Sequence, residues 1–526
     1  MNSIAERLSQ NKGKLIISLA ATYIWGLLAH GYAFSNINLS HDSLREFHSE
    51  ILGNNIKMSS GRVITPVYRD LFGSDVTIPW MMGLLALLWI GLSVYLIVRI
   101  FRVESPVMIC LIAGVCTVNI AVSATVATYI HDLDSYMFSL LCAVAAVYLW
   151  RSHPRGWIMG MVLITVSLGI YQNFVFVAVS LVMMVCVLDL LEESSFRTVF
   201  LNGVKAVGMI LLGGALYYLL MRSMLALKGV ELLKGEYNSL DKVQSLTLTN
   251  LVPQILSAYK DWFSRLMNAY CAYPSILVKG ITGLLLALSG IVVVVGLCNP
   301  KVRLPEKILC GALVVLLPLG MNMIHVLTLG GNHDLMTYPI WMFYVMALLL
   351  ADWLWKKRRS DEAAGVRTKI LKLQRMLCML CVFAIVYGSA WFANGMYVKK
   401  DLEHEAYTFL MTRVVTRIEA MEEYVPGETE VVFVGLPDNL NQVMPGFKDY
   451  WNVTGMTESD VIYAGNRDRF QAYFDYMMGL PIVLAEDSLW SESVNMEAVQ
   501  KMPVYPASGF AQMIDGVLYV KLGKIA

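Results

Sequence analysis

The sequence predicts a mostly α-helical polytopic membrane bundle of about eleven spans, followed by a small α/β domain outside the membrane. Three observations carry this. Hydrophobic residues fill 57% of the 526 positions and charged residues only 15%, whereas soluble domains run to about a quarter charged. Apolar runs of about 20 residues, enough to cross the hydrocarbon core, recur from the N-terminus to about residue 395. Beyond Met396 the composition becomes that of a soluble domain, which divides the chain into 1–395 and 396–526.

Arg7, Lys12 and Lys14 precede the first span, at about 15–34. No convincing small-residue cleavage site follows, so this segment reads as an uncleaved anchor. Further spans fall at about 78–98, 106–123, 135–150, 157–170, 172–190, 200–221, 274–298, 306–328, 336–355 and 371–394. With a cytoplasmic N-terminus, the short inner loops hold Arg99 and Arg102, Arg151 and Arg155, Arg197, then Lys301, Arg303 and Lys307. The last holds Lys356, Lys357, Arg358, Arg359, Arg367 and Lys369. Inner loops are enriched in Lys and Arg in this way, so the C-terminal domain is expected outside.

The outer segments are the elaborate ones. Two are long, at about 35–77 and 223–273, and two short, near 124–134 and 329–335. Leu251, Ile255, Tyr259, Trp262 and Leu266 recur at helical spacing in the second long segment, which reads as an interfacial helix. In the last domain, 400–424 reads as a charged amphipathic helix and Val431–Val434 as a strand ending at Gly435. A helix is expected at 466–479 and a final strand at Gly516–Leu522. This domain shows no catalytic cluster and reads as a support or docking module. Asn452-Val453-Thr454 fits a glycosylation sequon, a pattern short enough to arise by chance.

Several classes have no support. The net charge of +1 comes without a basic tract suited to nucleic acid. Most of the nine Cys lie inside apolar spans, none beyond Cys381, and so read as packing residues. There is no HExxH, no zinc-ribbon pair of CxxC motifs and no P-loop.

Five polar clusters fall at the outer ends of the spans. Ser40-His41-Asp42-Ser43 follows the first span, with Arg45 and Glu46 behind it; Ser and Asp are also the types that cap a helix start. Next comes Ser60-Gly61-Arg62, then Pro66, Tyr68 and Arg69. Arginines there pair with lipid head groups, or grip a phosphate-bearing substrate by a charge-assisted fork. His131-Asp132-Leu133-Asp134-Ser135-Tyr136 stands at the mouth of the third and fourth spans. Asp134 is placed to cap the fourth, whose N-terminus favours an anion; Asp132 has no such duty. Tyr171-Gln172-Asn173 puts polar groups at membrane depth, where they usually face a bundle interior or a wet cavity. Asn332-His333-Asp334 reads as a solvated loop rather than a metal site. Each cluster is ordinary alone, but chance polar residues would be spread over both faces.

Asn38, His41-Asp42, Ser60-Gly61-Arg62, Asp132 to Tyr136 and Gly169-Ile170-Tyr171-Gln172 together resemble, in order and spacing, the GtrII-type glucosyltransferase domain proteins. Asn394 through Tyr397, Val434-Gly435, and Ile514-Asp515-Gly516-Val517 to Lys521-Leu522 resemble that family's C-terminal portion. The resemblance implies a GT-C architecture with its active site at the outer face of a bacterial inner or plasma membrane. The implied activity is transfer of a hexose, typically glucose, from a polyprenyl-phosphate carrier to a surface glycan such as O-antigen or wall polysaccharide. Donor, acceptor and membrane lipids are then the partners. Under that reading Asp42 is the base and Arg62 meets the donor phosphate, with Arg69 or Arg222 in reserve. His41, Asp132, Asp134, Tyr171 and Gln172 orient sugar or acceptor hydroxyls or support Asp42. The leaving group is already good, so no glycosidase-like carboxyl pair, cofactor or metal is required. A sugar-lipid transporter or flippase is the alternative from another class. It would place its polar groups near the midplane, beside interrupted helices or repeats. A polysaccharide polymerase shares the substrate class and stays open.

Overall fold

A computed structural model describes residues 2–37, 39–48, 50–73, 76–234, 247–359, 366–437, 453–456 and 466–524. Asn38 of the motif and Asn452 of the sequon lie outside the described residues. The chain forms two compact units. One comprises Met1–Phe34, Asn54–Ser123 and Asp132–Ala393; the other, Ser35–Gly53, Ala124–His131 and Asn394–Ala526.

The first unit is a helical bundle, and the protein is a multi-pass membrane protein by the length and apolarity of its helices. Among the described residues, nine are long and apolar enough to cross a bilayer, including Asn11–Ser35, Pro79–Ile100, Ile130–Ser152, Gln172–Leu191 and Tyr338–Lys357. Two expected spans take other forms. The one at 106–123 is a pair, Pro106–Thr117 and Ile120–Thr128, bent by 42°. Asn119 explains the bend: its amide donates back to the Val115 carbonyl at 3.0 Å while its Oδ1 accepts from Val122 N at 3.1 Å. A local side-chain partner of this kind competes with the helical ladder. The other, Gly156–Ile170, is only 15 residues long. Phe196–Lys228 exceeds its expected span at both ends, running from the Ser195 cap to Gly229, whose φ of +66° stops it. Small residues let these helices close together. A side chain at Gly213 would collide with Ile164, and its bare carbonyl accepts from Thr165 Oγ1 at 3.0 Å.

Both long segments expected outside the membrane contain helices. His41–His48, Glu50–Ser59 and Thr65–Phe72 occupy the first, and Leu248–Met267 the second.

The last expected span and the amphipathic helix are one element, Val366–Glu419, of 54 residues. Gly395 alone costs a helix only about 1 kcal/mol, too little to break it. The second unit holds a four-stranded sheet: β1 (Glu430–Val434), β2 (Val483–Leu484), β3 (Ala511–Ile514) and β4 (Val517–Lys521), in the order β2-β1-β4-β3. β1 runs parallel to β2 and to β4, with Val432 opposite Tyr519, while β3 and β4 form an antiparallel hairpin. Val432, Val434, Val499, Met502 and Tyr519 form the core on one face. On the other, Phe433 meets Phe470 at 4.9 Å, and Tyr407 of the long helix meets Tyr473 at 5.4 Å. Some charged residues at the start of the amphipathic stretch are buried. Lys399 and Lys400 are each 1% exposed and Glu403 is fully covered.

All nine cysteines are free thiols. Cys298 is exposed, whereas Cys271 is half-buried and burial pushes its thiol above the ordinary value. A membrane-impermeant maleimide is therefore expected to label Cys298 in inside-out vesicles, where the expected inner loop faces the reagent. Labelling in right-side-out vesicles alone would reverse the orientation.

Candidate functional site

In the first unit three separate sequence motifs come together around one carboxylate. Asp132 has no solvent exposure. It receives Lys57 Nζ on Oδ2 and Arg69 Nη2 on Oδ1, the latter at 2.8 Å. Lys57 comes from Glu50–Ser59 and Arg69 from Thr65–Phe72, so the turn between those helices is pinned on both sides. That turn is Ser60-Gly61-Arg62. Gly61 has φ +80°, a conformation that favours glycine. Gln172 Nε2 donates to the Ser60 carbonyl at 3.1 Å and Tyr217 OH to the Gly61 carbonyl at 3.0 Å. Ile64 N donates to the Gly169 carbonyl at 2.8 Å.

Arg62, which this turn presents, donates to Tyr136 OH and lies over two rings, 5.3 Å from the centroid of Tyr136 and 5.4 Å from that of Tyr171. Those rings are stacked at 4.3 Å. Cation–π contacts of this kind hold the planar guanidinium in one orientation. The cluster brings three cations, Lys57, Arg62 and Arg69, together with two carboxylates, Asp132 and Asp134.

Two expectations change in detail. Asp134 is in the first turn of Leu133–Ser152, but its carboxylate accepts from Tyr68 OH at 3.1 Å rather than capping the helix. Burial, then the Asp134 charge, push the Tyr68 hydroxyl well above its ordinary value, so it stays a donor. Asp132 stands at the N-cap position, yet makes no cap bond because both oxygens are engaged by cations. Arg222 is not part of this network. It is exposed on Phe196–Lys228, whose Tyr217, Met221 and Leu225 pack with Met58 and Val63. Lys57 and Tyr217 were missed from the sequence: each is a lone residue whose partner is far away along the chain.

Beside the cluster is a cavity of about 380 Å³, lined by apolar residues such as Phe72, Ile78, Met81 and Leu85, with Asp134 also in its wall.

His41 and Asp42 belong to the second unit, where they open the helix His41–His48. Ser40 takes the capping role, its Oγ accepting from Ser43 N at 3.4 Å. His41 Nε2 is 3.4 Å from Asp42 Oδ1. Ser43 Oγ is 3.2 Å from His131 Nδ1.

Asn332-His333-Asp334 is not a solvated loop. Asp334 is buried and accepts from Arg265 Nη1 at 3.0 Å, while Asn332 is bonded to His325 at 2.9 Å. The partners lie on remote segments, which a local reading does not reveal. Arg265 also meets Asp261, which accepts from Asn322 Nδ2 at 3.0 Å. Burial opposes the Asp261 charge, but His325, Arg265, Asn322 and Asn332 together hold its carboxyl below the ordinary value. Among the described residues, no group of His, Cys, Asp and Glu is shaped to hold a metal ion.

The first unit is thus a membrane-type helical bundle that holds a covered polar cluster beside an apolar cavity. The chain belongs to the glucosyl transferase GtrII family, whose model matches residues 31–351, more than half of its length. It is thus a glycosyltransferase, which implies a sugar donor and an acceptor. No curated protein and no solved structure matches it. Family membership decides against the transporter reading.

Two outcomes follow. Asp132→Ala leaves Lys57 and Arg69 buried without their carboxylate and should cost about 3–5 kcal/mol of stability, seen as a lower melting temperature in detergent. Asp261 has a folded value below its unfolded one, so its stabilisation is present above about pH 4 and is lost as pH falls further. Asp261→Asn should flatten the acid side of a melting-temperature profile; an unchanged profile would contradict this assignment.

Proposed function

We propose that this glycosyltransferase moves a hexose, glucose by the family's name, from a polyprenyl-phosphate carrier to a surface glycan at the outer face of a bacterial inner membrane. The observation that carries the reading is the convergence of three cations, Lys57, Arg62 and Arg69, with Asp132 and Asp134 beside an apolar cavity. A lipid phosphate has those two halves, an anion and an isoprenoid chain. A covered, preorganised cation stabilises charge that develops on a departing phosphate far better than water does.

In this mechanism the acceptor hydroxyl attacks the anomeric carbon and gives its proton to Asp42. The bond from that carbon to the phosphate oxygen breaks, and polyprenyl phosphate departs with the electron pair. One displacement inverts the anomeric centre. Arg62 is the primary phosphate partner, held by Tyr136 and Tyr171. Arg69 and Lys57 add field but have Asp132 to neutralise, and Arg222 is a reserve outside the cluster. Asp132 serves as a support, since its charge is already spent on two cations. Asp134, Tyr171 and Gln172 orient sugar hydroxyls or the turn, and His41 supports Asp42.

Asp42→Asn should lower transfer by about 10²–10⁴-fold, the usual worth of a general base, with donor binding intact. Arg62→Ala should weaken donor binding. Both are measured with purified protein, labelled polyprenyl-phosphate glucose and an extract of surface glycan. Near-normal turnover by Asp42→Asn would discard the base.

A further inference from the structure

The second unit contains Asp42, the segment Ala124–His131 and the C-terminal residues from Asn394. Its internal bonds converge on two backbone carbonyls. The Thr128 carbonyl accepts from Ser40 Oγ at 2.6 Å and from Ser43 Oγ at 3.2 Å. One residue earlier, the Ala127 carbonyl accepts from Lys400 Nζ at 2.5 Å. These are the last carbonyls of Ile120–Thr128, and the final carbonyls of a helix lack partners inside it. A helix end of that polarity favours a cation. The same two residues also face Gly455, whose φ is +93° and where a side chain would overlap Ala127 and the Thr128 hydroxyl.

The two residues Ala127 and Thr128, with their successive carbonyls, are thus a platform. Ser40 and Ser43, which flank Asp42, hang from one of its carbonyls; Lys400 holds the other. Lys400 is 1% exposed, and its neighbour Lys399 is paired with Glu403 one turn on. A buried ammonium is expensive to keep in a fold unless it is well bonded. Neither family motif nor helical pattern draws attention to it.

We propose that Lys400 is a positioning residue for sugar transfer: by fixing the Ala127–Thr128 platform it fixes the Ser40–Ser43 turn that presents Asp42. The inference rests on the reading of Asp42 as the base. It gives the C-terminal segment a direct part in the reaction, beyond support or docking. Lys400 touches no reacting atom, so its effect is on turnover through the aim of Asp42. A small misplacement of a catalytic group costs up to about 10²-fold.

The test uses full-length protein in detergent or nanodiscs, with labelled polyprenyl-phosphate glucose and surface-glycan extract. Lys400→Met should lower kcat by about 10–100-fold with donor KM unchanged, and Lys400→Arg, which restores a donor, should recover part of the loss. Ser40→Ala, which removes the other side of the platform, should lower kcat without changing donor KM, and adding it to Lys400→Met should cost less than the product of the two losses. That non-additivity is also the readout if Lys400→Met folds poorly, taken with Lys400→Arg in its place. Full kcat in Lys400→Met and Ser40→Ala, with Asp42→Asn inactive, overturns the positioning role alone. A raised donor KM or strictly multiplicative losses overturn it too. Full transfer by Asp42→Asn overturns the base instead, whatever Lys400 does.

Discussion

A carboxylate with no access to water must be neutralised where it stands, and Asp132 is met on one oxygen by Lys57 and on the other by Arg69. Ion pairs in this setting add little net stability, because desolvation takes back most of the attraction; removing one partner is what costs heavily. Their value is specificity of placement. Lys57 and Arg69 lie on successive helices, so satisfying Asp132 fixes both ends of the intervening turn. Arg62 sits inside it. Gln172 and Tyr217 then bond the carbonyls of Ser60 and Gly61, which adds two more anchors to the turn that carries the guanidinium. The position of the Arg62 guanidinium is thus set by ion pairs in which Arg62 takes no part.

The spans were legible because hydropathy over about 20 residues is a strong signal. What blurred it were short-range effects that an average conceals. Asn119 bends an otherwise apolar segment by bonding to backbone on both sides of itself. β1 announced itself as an apolar run and β4 by its alternation. β2 has only two residues and β3 is an edge strand with mixed burial, so neither has a pattern to find.

Polar residues were harder, since type and spacing do not tell a solvated charge from a paired one. Asp334 and Arg265 are 69 residues apart, and either alone reads as a surface residue. Lys399 and Glu403 form an i, i+4 pair of the sort that decorates exposed helices; here both are covered. Asp42 and Asp134 were legible as candidates, but their helix-capping explanation was not resolvable. Ser40 turns out to do the capping beside Asp42, and Tyr68 to occupy Asp134. The motifs drew attention to the Ser60-Gly61-Arg62 and Ser40–Ser43 turns, while several of the residues that bond those turns come from elsewhere in the chain.

The matched family segment, 31–351, contains every residue given a chemical role above, but it stops short of Lys400. Two kinds of selection act on such a chain. Residues that meet donor or acceptor are constrained by chemistry and recur as short motifs. Residues that aim them are constrained only by geometry, and any donor reaching the same carbonyl from any helix would serve. The Ala127 carbonyl needs a hydrogen-bond donor and prefers a cation; it does not specify from which segment that donor comes. A motif search therefore finds the first class and passes over the second. The second class is visible only once the backbone atoms that it satisfies have been located in three dimensions, as Lys400 is by the Ala127 carbonyl, in a domain whose sequence reads as a support or docking module.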